Sequence, residues 1–196
     1  MKEHLQTGRT EQKLNTRSKI LVAAHGILEK GEDLTMESIA KEARISRATI
    51  YRYYSNIDSL STELILHLNI PNKENMVKEL KEEKLSTALL SIQNTYLDFI
   101  LDNEAAARKF LGAVLSSSDS KLVRGKNRLQ ALQFYFDANK SQWNKEETEK
   151  FIHIAVLLMG IESIIVSKDV CGLDDRKAKE TLQWGLEMIL KGISVS

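Results

Sequence analysis

Apolar residues recur at helical spacing through most of the chain. Ile20, Ala24, Ile27 and Leu28 fall at i, i+4, i+7 and i+8, one face of a helix expected over about 13–30. Gly31 follows as a stop signal. Thr35 is a natural N-cap, and Leu34 and Ile39 flank it in the arrangement of a hydrophobic staple. A second helix is therefore expected over about 36–43. Ser46 caps a third over 47–53 after a break at 44–46. Ser55 and Asp58 form a capping-box pattern for a fourth over 56–68. Ile70-Pro71-Asn72 is the clearest internal boundary, because proline disfavours helix before it and fits the first turn after it. Beyond it lies a charge-alternating stretch, 73–84, in which Glu74 and Lys78 are ordered for an i,i+4 pair. Further helices are expected at about 86–101, 105–115, 121–137, 146–168 and 175–191. No Asn-Gly or Asp-Gly turn and no period-2 run argues for strands. The expected fold is all-α, with about nine helices.

Composition supports this reading. One Pro and nine Gly in 196 residues leave few helix breakers. The net charge is +1, so bulk charge cannot drive binding to nucleic acid or membrane, and any such affinity must come from a local patch. One cysteine, Cys171, excludes an intrachain disulfide framework and suits a reducing cytoplasm. Residues 1–12 are polar, read as a flexible arm, and carry no signal-peptide pattern. The most apolar run, Phe151 to Val166, is shorter than a membrane span and contains His153, Gly160 and Glu162, so a buried core helix is expected there and no membrane association. No phosphate-binding or dinucleotide loop occurs, and no HExxH. The four histidines (4, 25, 67 and 153) lack metal-ligand spacing. Neither catalysis, metal nor cofactor is expected.

The segment TMESIAKEARISRATIYRYYSNIDSL (35–60) carries the chemistry. Two short helices across a tight turn make a helix-turn-helix. Ile39, Ala40 and Ala43 form the inner face of the first, Ile45 plugs the turn, and Ile50 and Tyr54 form the inner face of the second. The outer face of the second is then Arg47, Ala48, Thr49, Tyr51, Arg52 and Tyr53, groups able to bond phosphates and base edges or touch a thymine methyl. On spacing alone, a plain helical hairpin remains the alternative.

Residues 17–60 resemble the DNA-binding domain of TetR-family transcriptional regulators. The stretches that carry the likeness are ILVAAHGILEKG (20–31), LTMESIAKEARISRATIYRYY (34–54) and SNIDSL (55–60). The resemblance implies that residues 47–53 are a recognition helix in the major groove of double-stranded DNA. Arg47, Ala48, Thr49 and Arg52 would lie nearest base edges, and Tyr51 and Tyr53 would contact the phosphate backbone. Thr35 and Ser46 sit at helix N-termini, where backbone N–H groups favour a phosphate. Lys13 and Arg17 could reach a phosphate or a minor groove, or remain a solvated arm. Two positions depart from the family pattern. Arg44 stands where the turn commonly has Gly, so either Arg44 takes a positive φ or the turn differs; it could also add a phosphate contact. Ile57 stands where a Lys is common. The charge distribution agrees: residues 1–54 hold ten basic and seven acidic residues, and residues 55–196 hold 18 and 20. Binding should therefore be steeply salt-sensitive.

The domain organisation expected is an arm (1–12), a three-helix DNA-binding domain (13–58, with the start of helix 4) and a helical effector-binding and dimerisation domain (59–196). The helix over 146–168 is apolar nearly all round, and the last helix carries Ala178, Leu182, Leu186 and Ile189 on one stripe. Paired with their symmetry mates, the two would form a four-helix interface, with Ile154, Leu158, Ile161, Ile165, Leu182, Leu186 and Ile189 as candidates; a monomeric core is the alternative. The resemblance also implies a homodimer, and a small-molecule effector pocket. Its candidate lining is Tyr96, Phe99, Phe110, Phe134, Tyr135 and Met159, with His153 or Gln93 as polar anchor. The expected function is a cytoplasmic homodimeric repressor, bound to a pseudo-palindromic operator and released by an apolar or amphipathic ligand. Alternatives are a regulator without effector and an all-α interaction adaptor without DNA binding.

Overall fold

The computed structural model describes residues 2–68, 70–116, 126–139 and 143–194. Among them there is no strand. Eleven α-helices run α1 (Lys2–Glu29), α2 (Met36–Glu42), α3 (Arg47–Tyr53), α4 (Ile57–His67), α5 (Lys73–Glu79), α6 (Leu85–Asp102), α7 (Glu104–Ser116), α8 (Asn127–Ala138), α9 (Lys145–Leu157), α10 (Ile161–Ile165) and α11 (Asp175–Ser194). One turn of π-helix, Val166–Val170, follows α10. The all-α expectation holds, with more breaks than expected. Residues 2–12 are not a separate arm but the N-terminal part of α1. The expected loop at 116–120 and the start of the helix expected at 121–137 lie mostly outside the described residues.

The chain divides into two compact units, Met1–Ile70 with Ala105–Leu122, and Pro71–Glu104 with Val123–Ser196. Pro71 opens the second, and the boundary expected at 58/59 falls inside α4, within the first.

In the first unit, α2 and α3 pack together, and α1 packs on α2 and α4. Seven-residue helices are too short to stand alone in water, so burial must hold them. Ile20, Ala24, Ile27, Ile39, Ile50, Leu60 and Leu64 are almost fully buried, and Tyr54 nearly so. Two helices in this unit end in the same six-residue device. After α1, the Gly31 amide donates to the Leu28 carbonyl (3.0 Å) and the Glu32 amide to Ile27 (3.1 Å). After α2, the Arg44 amide donates to Lys41 (3.2 Å) and the Ile45 amide to Ala40 (3.0 Å). These are paired 5→2 and 6→1 bonds of a Schellman turn, which needs a left-handed residue. Gly31 adopts it at φ 70° and Arg44 at φ 54°. Of the two alternatives for Arg44, positive φ is the one observed.

In the second unit, α6 packs on α8 and α11, and α8 on α5 and α9. Ala88, Leu89, Ile92, Tyr96, Leu132, Ala155, Met159 and Leu186 form its core. Trp143, Phe136 and Phe151 close one side as an aromatic cluster, with the Trp143 and Phe151 centroids 4.9 Å apart. The helix expected over 146–168 is broken. The Leu158 amide bonds back to Ile154 and Ala155, and Gly160 turns to an extended φ of −125° and begins α10. The Ser163 hydroxyl donates to the Gly160 carbonyl (2.8 Å), closing the new N-terminus. Among the described residues no single helix is long and apolar enough to cross a membrane.

Candidate nucleic-acid interface

The second short helix is set by its cap and its buried side. Ser46 is extended, and its hydroxyl accepts from the Thr49 amide (3.1 Å). Ile50 is fully buried and Tyr54 caps the helix from inside the core. A seven-residue helix anchored at Ile50 and Tyr54 must turn its remaining positions outward. Arg47, Ala48, Tyr51 and Arg52 are exposed, and Thr49 and Tyr53 are half-buried. The expected outer face is thus assembled on one side. Several of its members are already engaged. The Thr49 hydroxyl shares a 2.8 Å hydrogen bond with Ser46, and the Arg52 guanidinium lies 5.9 Å from the centroid of the Tyr53 ring.

The neighbouring helix ends frame this face. Thr35 caps α2 by a reciprocal box: its hydroxyl accepts from the Ser38 amide and the Thr35 amide donates to the Ser38 hydroxyl, each at 3.0 Å. The cap of α4 is Asn56 with Ser59, not the expected Ser55 with Asp58. The Asn56 side chain accepts from the Ser59 amide at 2.8 Å. The signal was present as Asn-x-x-Ser one residue along, and Asn is at least as good a cap as Ser. A groove runs between these two N-termini along α3, lined by Thr35, Glu37, Arg47, Tyr51, Ser55 and Asn56 among others. Glu37 was not singled out from sequence. Its carboxylate lies 3.7 Å from Arg47.

Arg44 is exposed at the turn. Arg17, expected to reach DNA, instead makes an ion pair with Glu63 of α4. That pairing raises the guanidinium above its ordinary range. Tyr54 lies beside the pair, and burial pushes its hydroxyl up to about 12. The hydroxyl is buried without a hydrogen bond of good geometry. Arg17 thus ties α1 to α4 in this structure. Lys30 ties the other end of α1 to Glu42 at 2.9 Å, holding the Glu42 carboxyl below its ordinary range.

The candidate effector residues separate. Gln93, Tyr96, Tyr135 and Met159 are buried together in the second unit. The Gln93 amide donates to the carbonyls of Leu158 (3.0 Å) and Leu182 (2.9 Å), while its oxygen is buried without a partner. Tyr96 donates to Asn127. Phe99 and Phe110 are half-buried, and Phe110 belongs to the first unit. Phe134 and His153 are exposed, so they do not join the interior set. His153 is one residue past the buried Ile152, about 100° further round α9, and faces out.

The dimer candidates also need correction. Ile161, Leu182 and Leu186 are buried against their own chain and offer no area to a partner. Leu158, Ile165 and Ile189 are half-buried, and Ile154 is exposed. The apolar side chains that the second unit leaves open also include Leu157, Val166, Val170 and Trp184. Among the described residues no three His, Cys, Asp or Glu side chains converge to hold a metal ion.

A short helix with Arg and Tyr turned outward, packed on a capped α2 that itself rests on α1, has the form of a helix-turn-helix. Residues 20–64 match the family model of bacterial regulatory proteins, tetR family. The solved structure of a TetR transcriptional regulator from Rhodococcus sp. RHA1 is similar over 91% of this chain and 97% of that one, with a TM-score of 0.56 and 17% identity. No curated protein matches the chain. Residues 20–64 are thus a DNA-binding domain of the tetR family, and the whole chain shares the fold of that solved regulator, an N-terminal helix-turn-helix followed by a C-terminal helical domain.

Proposed function

We propose that this protein is a homodimeric repressor that binds a pseudo-palindromic operator through α3 and is released by an apolar or amphipathic small molecule. The observation that carries DNA contact is the outward side of α3, where Arg47, Ala48, Tyr51 and Arg52 stand exposed while Ile50 is buried. Arg47 and Arg52 read base edges, with Ala48 and Thr49 beside them. Tyr51 and Tyr53 meet the phosphate backbone, and Thr35, Arg44 and Ser46 hold phosphates at the edges of the interface. Arg17 reaches DNA only by leaving Glu63.

Dimerisation is supported by the exposed apolar side chains Ile154, Leu157, Val166, Val170 and Trp184. A second copy would cover them and give the two half-sites that a lone helix-turn-helix lacks, about 34–36 Å apart or a multiple of it. Effector binding is supported by the buried, unpartnered oxygen of Gln93 among Tyr96, Tyr135 and Met159. Such an acceptor costs free energy until something donates to it. The effector must favour the state that does not bind DNA, or nothing shifts.

The test is protection of an inverted repeat in the DNA beside the protein's own gene. Arg47→Ala should weaken that binding about ten- to a hundredfold, since a base contact is worth about 1–3 kcal/mol, and Tyr51→Ala, which removes a phosphate contact, should weaken it on all sequences alike. Folding and dimerisation should stay unchanged. Full affinity in both variants would overturn the contact assignment.

A further inference from the structure

The geometry points to Glu37 as a positioning residue that holds Arg47 back from non-matching DNA and so sharpens sequence discrimination; this rests on the DNA-binding reading above. Glu37 is the second residue of α2, and Arg47 is the first of α3. Their side chains cross the groove to within 3.7 Å, and both are well exposed, at 77% and 60%. Among the residues that line the groove, Glu37 is the acid and Arg47 the base.

A carboxylate at the start of α2 would be favoured by the helix dipole alone. The dipole does not require it to meet the arginine of the next helix. That meeting has a consequence for binding. A phosphate that approaches at random meets a neutral pair rather than a free cation. Arg47 then contributes little to the counterion release that drives non-specific affinity. A guanine in register offers two acceptors to the guanidinium fork. An exposed ion pair is weak, worth at most about fivefold, so the bidentate contact draws Arg47 away. The pair therefore taxes wrong sites more than right ones.

The experiment compares the full chain with Glu37→Gln on a random-sequence duplex, titrated with salt. A duplex selected by the unaltered protein from a random pool serves as the specific site. Glu37→Gln should bind the random duplex about two- to fivefold more tightly, with a salt slope steeper by about 0.9. Its affinity for the selected site should rise less, so the ratio of the two falls. In an Arg47→Ala background the substitution should do nothing. Equal binding by the two proteins overturns the proposal and leaves DNA binding standing. A gain that persists without Arg47 also overturns it, since Glu37 would then only repel phosphate. Failure of the unaltered protein to bind any duplex overturns both readings.

Discussion

The guanidinium of Arg128 occupies the space in which Gly160 would carry a Cβ; its central carbon lies 2.7 Å from that position. Arg128 reaches there from α8, bonds Glu162 of α10 at 3.2 Å and approaches the Val156 carbonyl at 3.5 Å. Gly160 thus admits a side chain at the break between α9 and α10. Gly160→Ala should displace the guanidinium, break the pair with Glu162 and cost about 1–2 kcal/mol. In an Arg128→Ala background the same substitution should cost less, because only the Glu162 carboxylate, free to swing toward solvent, remains to be displaced. Urea denaturation of the four proteins of this cycle measures the coupling; equal costs in both backgrounds would show that Arg128 is not the obstacle.

Arg44 sits at φ 54° in the turn before α3, where the end of α1 uses Gly31 for the same hydrogen-bond pattern. A non-glycine residue there carries about 1 kcal/mol of strain. Arg44→Gly should therefore raise stability by up to about 1 kcal/mol in a urea melt. The same change removes an exposed cation beside the interface. Its salt slope on DNA should be shallower by about 0.9. A destabilised Arg44→Gly protein would mean that the strain is relieved elsewhere.

Tyr54 ties stability to alkaline pH. Burial raises its hydroxyl from the ordinary 10 to about 12, so the folded state favours the neutral phenol. That contribution is complete below about pH 10 and is lost as pH rises through about 12. Burial shifts Tyr96 and Tyr135 in the same direction. Tyr54→Phe should make the fall in melting temperature above pH 10 shallower. At pH 7 it should change stability by no more than about 1 kcal/mol, because the buried hydroxyl has no hydrogen bond of good geometry to lose. A larger loss at pH 7 would reveal a bond to Arg17 or Glu63.

Trp184 is 62% exposed and Leu157 is 65% exposed, although both lie on otherwise core-packing helices. If a second copy covers them, Trp184→Glu with Leu157→Glu should shift sedimentation from dimer to monomer, with the helical content preserved. Each buried Glu without a partner would cost the interface several kcal/mol. An unshifted double variant would place the contact elsewhere.

The sequence was legible where one local rule decided the outcome. Ile39, Ile50 and Tyr54 had to face inward by period, and Ser46 had to cap, so the outward side of α3 followed without a structure. Gly31 marked its turn because glycine after the last periodic residue ends a helix, whereas Arg44 left two turn geometries open and only the fold chose positive φ. A polar run such as residues 2–12 has no periodic signal either way, and only the structure shows that it continues α1.

Elsewhere, rules of equal weight competed. An apolar run from Phe151 to Val166 reads as one helix, and only tertiary packing shows it broken at Gly160, where Arg128 arrives from 32 positions earlier in the chain. The stripe Ala178, Leu182 and Leu186 could have faced a partner or its own core. Periodicity names a buried face but not what buries it, and in this chain the core took it. The same holds for Arg17 and Glu37. A charge in the sequence advertises that it can meet an opposite charge, while the folded path alone brings Glu63 and Arg47 within reach.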